Sequence, residues 1–432
     1  MALLQCECQR LWRPSSGGPD GYGEPMDREE LDRLLTPRLL AAVDAEPPPT
    51  VKTDVLARST ALRRAGYSAE ETATILTQAK LRRRAVAKFG DFASRMLFTA
   101  AGLEQATRLD VAAHHASRFR ALGARRLADL GCGIGGDALA FGAVDLEVLA
   151  VERDPVTAAI ASYNLAPFPE VDVRVGDAES TDLAGIGAAW LDPARRSEGH
   201  SETHRVRAAE FTPSLDFAYS LAERIPVGVK LSPAHDRATL PEQAEAQWVS
   251  SRGEVVETAL WFGDLRRPGV RRAALVVTDR GTAELTAPAD APDEPPGPLG
   301  GYLHEPDGAV IRARVLGDLA RSTGTHPVGP DIAYLTGDRP IASPFVASFE
   351  IEAVLPFDRL KIRRELKARQ VGRLEIKKRG VDLDPATFRT FLGLAGDGEA
   401  TLIVTRTAER RVALICRRLG TQDVPVDGPL TE

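Results

Sequence analysis

The chain has 432 residues, a formal net charge of −6 at pH 7, 43% hydrophobic and 27% charged residues. This length predicts two or three domains with sizeable cores. The sequence has no apolar stretch of 18 residues, so we expect no membrane span. Its start has no hydrophobic stretch typical of a signal peptide, so we do not expect secretion. Its four cysteines are too scattered for a disulfide framework, so we expect a cytoplasmic protein. The acidic total does not indicate nucleic-acid binding, although it can hide a local basic patch.

The N-terminal part predicts a disordered tail followed by helices. Residues 1–25 are rich in glycine, proline and serine, which is typical of disorder, and Met26 is a candidate native start. Residues 26–122 carry long amphipathic patterns and predict a helical region. The patterned stretches are Val51–Ala65, Ala69–Lys88 and Gln105–Leu122.

A glycine motif follows a short apolar run that ends in Asp129. Glycines stand at alternate positions, Gly131, Gly133 and Gly135, with Gly136 beside them. A strand that breaks into a glycine loop and then a helix lets a nucleotide-like ligand lie against bare backbone. The loop fits G-x-G-x-x-G, typical of dinucleotide binding, and also D-x-G-x-G-x-G, which is similar to motif I of class I S-adenosylmethionine-dependent methyltransferases. A glycine turn without a ligand is the structural alternative.

Acidic residues also follow three later strand-like runs. Glu152, beside Arg153, suits a ribose diol in either cofactor class. Asp177 and Ala178 follow the third run, and Asp192 follows the fourth. This order resembles the methyltransferase plan, in which the third acid binds adenine and the fourth loop faces the transferable methyl group. S-adenosylmethionine is therefore the expected cofactor, although any one acid could be a solvated loop carboxylate.

The remaining chain predicts two folded domains and a connection. Residues 123–285 alternate strand-like and helical stretches, which predicts an α/β, Rossmann-like, doubly wound parallel sheet. Residues 286–299 contain five prolines with acids between them and predict a linker or a long exposed loop. Residues 300–420 predict an α+β domain whose C-terminal part has the order β-α-β-α-β-β, related to the ferredoxin-like arrangement.

Several stretches carry a family resemblance. They are Phe98–Thr107, Asp129–Asp137, Leu191–Arg195, Glu305–Arg312, Ile332–Thr336 and Leu374–Asp382. On these residues the chain resembles bacterial class I S-adenosylmethionine-dependent methyltransferases with a C-terminal THUMP-like domain, over nearly everything after about residue 50. The resemblance implies S-adenosylmethionine as cofactor and RNA as a plausible substrate, because THUMP domains present RNA to methyltransferases. It also implies that Gln105 reaches the cofactor; a polar residue on a helix surface is the alternative.

The sequence thus names three groups of site residues. The expected cofactor-binding residues are Gln105, Asp129, Gly131, Gly133, Gly135, Glu152, Arg153, Asp177, Ala178 and Asp192. The expected catalytic residues are Asp192, Pro193 and Arg195. The expected substrate-binding residues are Arg195, Arg196, Lys230, Lys377, Lys378 and Arg379. No metal site is expected, since His200 and His204 lack a second ligand pair.

A basic segment supports the RNA hypothesis. Residues 359–379 hold ten lysines and arginines against two acids. This excess suits a phosphate-contacting surface, or equally a solvated helix face and a blunted strand edge. A methyltransferase acting on RNA is the first hypothesis, and a catalytically inactive RNA-binding adaptor with the cofactor fold is the alternative. Covalent uridine methylation is disfavoured, because Cys132 lies in the cofactor loop and the other cysteines lie near the termini.

Overall fold

The computed structural model describes residues 26–47, 54–195 and 211–420. The predicted tail, residues 1–25, and the residues Arg196, His200 and His204 lie outside this part of the chain. Two compact units are present: Met1–Leu231 with Leu260–Arg266, and Ser232–Ala259 with Arg267–Glu432. Within the described residues, no helix is both long enough and apolar enough to cross a membrane.

The first unit begins with the helices that the amphipathic patterns predict. Ser68 and Glu71 form a capping box at the start of the longest helix, which fixes where that helix begins. Gln78 of this helix bonds both the carbonyl and the amide of Phe98, at 2.8 and 3.1 Å, and so positions the segment that leads to the next helix. The helices are α1 (Arg28–Leu34), α2 (Pro37–Asp44), α3 (Val55–Arg64), α4 (Ala69–Phe89), α5 (Ala100–Gln105) and α6 (Leu109–Leu122).

A parallel sheet follows, as the alternating pattern predicts. Its strands have the order β3-β2-β1-β4-β7, and the pairings of β1 with β2 and β4, of β2 with β3 and of β4 with β7 are parallel. Ligands of such sheets lie at the carboxyl ends of the strands where the order reverses, which is here between β1 and β4. The elements are β1 (Arg126–Leu130), α7 (Gly136–Gly142), β2 (Glu147–Glu152), α8 (Pro155–Leu165), β3 (Val171–Val175), β4 (Ala188–Leu191), β5 (Ala194–Arg195), β6 (Phe211–Thr212), α9 (Leu215–Ala222) and β7 (Val227–Leu231).

Aromatic packing holds β4 and β7 against α6. The ring centroids of Trp190 and Trp261 lie 5.5 Å apart, and His115 of α6 lies 4.2 Å from Trp190. A Cβ on Gly228 would approach Trp190 Cε3 to 2.6 Å, so no larger residue fits there without a shift. These contacts fix the strand that carries Lys230 relative to the one that precedes Asp192.

The second unit starts with strands where the sequence predicts alternating strands and helices. They are β8 (Glu245–Ser251), β9 (Glu254–Phe262), β10 (Arg272–Thr278) and β11 (Gly281–Ala287), in the order β11-β10-β8-β9. The last residues of β9 belong to the first unit. Arg252 and Gly253 both have positive φ, 54° and 80°, which suits a two-residue hairpin connection and leaves no room for a crossover helix.

The proline-rich segment 286–299 connects β11 to the next strand inside the second unit instead of joining the two units. The amide of Ala291 donates to the carbonyl of Arg314 at 2.8 Å, and that of Gly297 donates to the carbonyl of Pro327 at 3.1 Å. These bonds attach the segment to the unit. The division of the chain at residues 231, 259 and 266 therefore differs from the predicted limits at 122 and 285.

The rest of the second unit is a seven-stranded sheet of order β13-β14-β12-β15-β18-β17-β16. From β15 onward the order β-α-β-α-β-β agrees with the sequence prediction, but it differs from the ferredoxin-like β-α-β-β-α-β. The two C-terminal helices bury Ile362, Leu366, Phe388 and Leu392 against the sheet. The elements are β12 (Tyr302–Pro306), α10 (Gly308–Arg312), α11 (Leu316–Thr323), β13 (His326–Pro327), β14 (Leu335–Gly337), β15 (Val346–Pro356), α12 (Arg359–Ala368), β16 (Val371–Arg379), α13 (Pro385–Leu392), β17 (Gly398–Arg406) and β18 (Arg411–Arg418).

A buried histidine makes the stability of this sheet depend on pH. His304 of β12 is fully buried, with Nδ1 2.9 Å from Ser348 Oγ, and burial lowers its pKa to about 4. The unfolded chain takes up this proton near pH 6.5, so the free energy of unfolding should fall between pH 6.5 and 4, by at most about 3 kcal/mol from this group. Denaturant unfolding at several pH values should show that His304→Asn loses this dependence. His326→Asn, at a half-exposed position of the same unit, should keep it.

Candidate functional site

The glycine loop after β1 is bound to the end of β2. The amides of Gly131 and Cys132 both donate to the carbonyl of Val151, at 2.9 and 3.1 Å. Gly131, Gly133 and Gly135 all have positive φ, at 92°, 55° and 88°, a conformation that other residues rarely adopt. The backbone of the loop therefore requires the glycines that the motif supplies.

Each glycine also meets a different neighbour. A Cβ on Gly131 would lie 3.1 Å from the carbonyl oxygen of Asp192, so any side chain here would require the loop after β4 to shift slightly. A Cβ on Gly135 would lie 2.8 Å from Leu165 Cδ1, which makes Gly135 a packing position against α8. A Cβ on Gly133 would meet no atom of the described residues within 4 Å, so this position borders open space.

Asp129 is a buried carboxyl group whose oxygens accept no hydrogen bond from the residues that the structure describes. The residue is 1% exposed. Burial raises the pKa of Asp129 well above its ordinary value, with further increases from the charges of Asp137 and Asp192 and an opposing effect from Lys230. A positively charged donor group placed against these oxygens would remove the cost of burying them unpaired.

Two further predicted cofactor residues stand at neighbouring strand ends. Glu152, the last residue of β2, accepts the amide of Gly133 at 3.0 Å and that of Asp154 at 2.9 Å. Burial raises the pKa of Glu152, and these amides partly offset that effect. Asp177 lies two residues past β3, is exposed, and accepts the amide of Glu179 at 3.1 Å. Arg153 is exposed and Ala178 is buried.

The loop after β4 is tied to β7 by an ion pair. Asp192 directly follows β4, and its Oδ2 lies 2.6 Å from Lys230 Nζ. The same ammonium donates to Thr107 Oγ1 at 3.0 Å and to the backbone carbonyl of Gln105 at 3.3 Å. Gln105 thus joins the site through its backbone, while its residue is exposed. Pro193 is buried beside Asp192.

A second carboxylate, Asp137, lies in the first turn of α7. Its Oδ2 accepts the hydroxyl of Thr107 at 2.7 Å, and its Oδ1 lies 2.8 Å from His115 Nδ1. Burial alone would raise the pKa of Asp137, but His115, Lys230 and Thr107 together lower it. Asp137 is therefore held ionised next to the glycine loop.

The remaining predicted residues lie elsewhere. Arg195 pairs with Phe211 through the backbone of β5 and β6. The other three belong to the second unit. There Lys377 forms ion pairs with Glu305 and Glu375 at 2.7 and 3.3 Å, Arg379 stacks over Tyr334, and Lys378 is exposed.

Thr107, His115 and Asp137 were not predicted as site residues. Thr107 and Asp137 end two of the stretches that carry the family resemblance, but their local sequence gives them no role. His115 lies on the buried face of an amphipathic helix, where a histidine is typical of a core residue. Only the tertiary fold brings the three side chains together.

Two parts of the chain match known families. Residues 346–418 match the family described as THUMP domain-like, which agrees with the predicted C-terminal domain. Residues 27–85, within the helical region, match a domain of unknown function, DUF8688.

Curated relatives cover most of the chain. Two proteins of Mycobacterium tuberculosis, from strains CDC 1551 and H37Rv, are each 33% identical over 350 residues, which is 78% of this chain and 94% of each relative. Both are described as uncharacterized S-adenosylmethionine-dependent methyltransferases. The solved structure of a Porphyromonas gingivalis W83 protein assigned as a methyltransferase aligns with a TM-score of 0.67 at 21% identity, covering 89% of this chain and 98% of that chain. That likeness shows a shared fold.

The unpaired carboxyl of Asp129 should destabilise the ligand-free protein. Because the folded-state pKa is raised, stability present at low pH is lost as the pH rises past the unfolded value of 3.8. Asp129→Asn should therefore gain melting temperature relative to the native chain, by more at pH 8 than at pH 4. Asp137→Asn removes the negative charge and one of the two oxygens that bond His115 and Thr107, so it should instead lower the melting temperature. If the melting temperatures of the native chain and of Asp129→Asn changed equally with pH, Asp129 would not be the source of this pH dependence.

Proposed function

Since this chain belongs to the S-adenosylmethionine-dependent methyltransferases, we propose that it transfers the methyl group of this cofactor to RNA. The cofactor supplies an electrophilic methyl group that a nucleophile attacks in line. The observation that carries the RNA assignment is the THUMP-like match over 346–418, in a domain whose α12 exposes several cations.

The residues at the ends of β1, β2 and β3 fit the cofactor. The unpaired oxygens of Asp129 suit the α-ammonium of its methionine part, which supplies the missing positive donors. Glu152 suits the ribose diol, whose hydroxyls donate to a carboxylate. Asp177 suits the adenine amino group, with Arg153 and Ala178 beside these positions. Gly131 and Gly133 let the cofactor lie against backbone, and Gly135 keeps the loop packed on α8.

Catalysis of this transfer depends mainly on positioning. Asp192, next to the glycine loop and about one-third exposed, is placed to accept a hydrogen bond or a proton from the attacking group. Pro193 stiffens the loop after Asp192. Arg195 and Arg196 follow in the chain and suit contacts with substrate phosphates.

The two cysteines in the described part of the chain, Cys132 and Cys416, do not suit covalent uridine methylation, which needs a thiolate nucleophile. Burial raises the pKa of Cys132 well above its ordinary value and raises that of Cys416 to about 12. Both of these cysteines are buried. Direct transfer to a substrate nucleophile is the reaction class that remains for the described site.

The RNA-contacting surface we propose is the outer face of α12. Lys361, Arg364 and Lys367 are exposed there, at spacings that place them on one side of the helix. Arg359 stacks over Phe391, with its guanidinium carbon 4.5 Å from the ring centroid. Lys378 adds an exposed cation on β16, whereas the ion pairs of Lys377 make it a weaker candidate for phosphate contact.

Gly131→Val tests the cofactor site. A branched side chain at φ 92° and against the Asp192 carbonyl should strain or displace the loop, so calorimetry should detect no S-adenosylhomocysteine binding. Gly123→Ala is the matched control, because Gly123 also has positive φ but borders open space at the end of α6. It should bind normally. The second unit should fold in both variants. Cofactor binding by Gly131→Val would contradict the proposal that this loop binds the cofactor.

Labelled methyl transfer to RNA, protein and small-molecule fractions from cells lacking the protein tests the substrate. We expect label in RNA. The triple variant Lys361→Ala, Arg364→Ala, Lys367→Ala should raise the RNA KM. It should also reduce the slope of log binding constant against log salt concentration by about one for each phosphate contact that is lost. A charge-matched control changes Arg63, Arg64 and Lys80, exposed in the first unit, to alanine and should keep the native values. Label in another fraction would refute RNA as substrate, and RNA binding without transfer would favour the adaptor hypothesis.

A further inference from the structure

A continuous line of polar contacts joins the loop after β4 to the first turn of α7. It runs from Asp192 to Lys230 at 2.6 Å, to Thr107 at 3.0 Å and to Asp137 at 2.7 Å, and it ends at His115 after a further 2.8 Å. The contacts thus connect the start of the glycine loop with its end, since the backbone of Asp192 lies against Gly131 and Asp137 directly follows Gly136 in sequence.

The ammonium of Lys230 has its donors directed at protein acceptors. A lysine carries three N–H donors, and Nζ contacts Asp192 Oδ2, Thr107 Oγ1 and the carbonyl of Gln105. Its side chain is 13% exposed, against 31% for Asp192. This geometry does not favour Lys230 as the substrate contact that the sequence suggested.

A second lysine holds the same backbone segment from α4. Lys88 Nζ donates to the carbonyl of Glu104 at 2.6 Å and to that of Ala106 at 2.7 Å. Residues 104–107, here called the strap, are thus held by Lys88 at Glu104 and Ala106, and by Lys230 at Gln105 and Thr107. The strap contains Gln105, which is among the cofactor-binding residues expected from the sequence.

We propose that Lys230 is a positioning residue, which fixes the Asp192 carboxylate for methyl transfer and couples it to the strap. The role of Asp192 in methyl transfer rests on the proposed function, whereas the coupling of Lys230 to the strap does not. Removal of the ammonium takes away the donor that contacts Asp192 Oδ2 at 2.6 Å, so the carboxylate loses the contact that orients it. The same change removes the donor that holds the strap at Gln105 and Thr107.

Lys230→Met tests this, because methionine keeps much of the side-chain length without the charge. In steady-state methyl transfer, kcat should fall roughly 10- to 100-fold while the RNA KM stays near the native value. Lys230→Arg retains a cation that can pair with Asp192 and should recover most of the lost kcat.

Hydrogen exchange in the presence of S-adenosylhomocysteine measures the coupling without any methyl acceptor. Lys230→Met and Thr107→Val should each speed amide exchange across the strap, and the double variant should add little to the larger single effect. Lys80→Met, at an exposed position of α4, is the matched control and should leave both exchange and kcat unchanged.

The possible outcomes are distinct. A raised RNA KM with native kcat would make Lys230 a substrate contact and overturn the proposal, as would native strap exchange in Lys230→Met. If the native protein transfers no methyl to RNA, the proposed function fails, and the exchange data alone decide whether Lys230 couples the strap. Additive effects of Lys230→Met and Thr107→Val would then refute that coupling.

Discussion

Repulsion between carboxylates constrains the end of the parallel sheet that carries the glycine loop. Asp137 and Asp192 both lie close enough to Asp129 for their charges to raise its pKa, and burial would raise the pKa of both Asp129 and Asp137. Like charges in a poorly solvated region cannot all stay ionised without compensation. Asp137 obtains compensation from His115 and Asp192 from Lys230, whereas the carboxyl oxygens of Asp129 have no hydrogen-bond donor among the described residues. Asp129 is therefore the carboxyl group that lacks a donor, and it is the residue for which we propose contact with the ammonium of the cofactor.

The parallel sheet creates this crowding. Because β1 pairs with both β2 and β4, the residues that end these strands converge at one edge of the sheet. The glycine loop must then pass between β2 and the loop after β4. On one side its amides bond the carbonyl of Val151. On the other side, a Cβ on Gly131 would lie 3.1 Å from the carbonyl oxygen of Asp192. Gly131 is therefore required by packing as well as by its backbone conformation. The same short distances place the cofactor loop and the candidate general base side by side.

Local patterns were sufficient to predict the strands of the parallel sheet, the glycine loop and the acids that follow these strands. These features depend on residues close in sequence, such as Asp129 and Gly131, and the C-terminal order of elements was predictable for the same reason. The contacts of Lys230 were not predictable, because they join residues more than 35 positions apart in sequence. The strands between Ser232 and Ala287 were missed because apolar runs do not distinguish a hairpin from a crossover. The feature that indicates a hairpin is the two-residue turn at Arg252 and Gly253.

The acidic net charge of the chain is compatible with a polyanionic substrate once the positions of the charges are considered. The formal charge of −6 counts Asp129, Asp137, Glu152 and Asp192 as four negative groups. In the folded protein, partners offset part of the field of these groups, as the ion pair of Asp192 with Lys230 and the two backbone amides that donate to Glu152 illustrate. An approaching RNA responds to the exposed charges close to it, because salt screens the rest over about 8–10 Å. The exposed cations of α12 can therefore attract phosphates even though the whole-chain sum is negative.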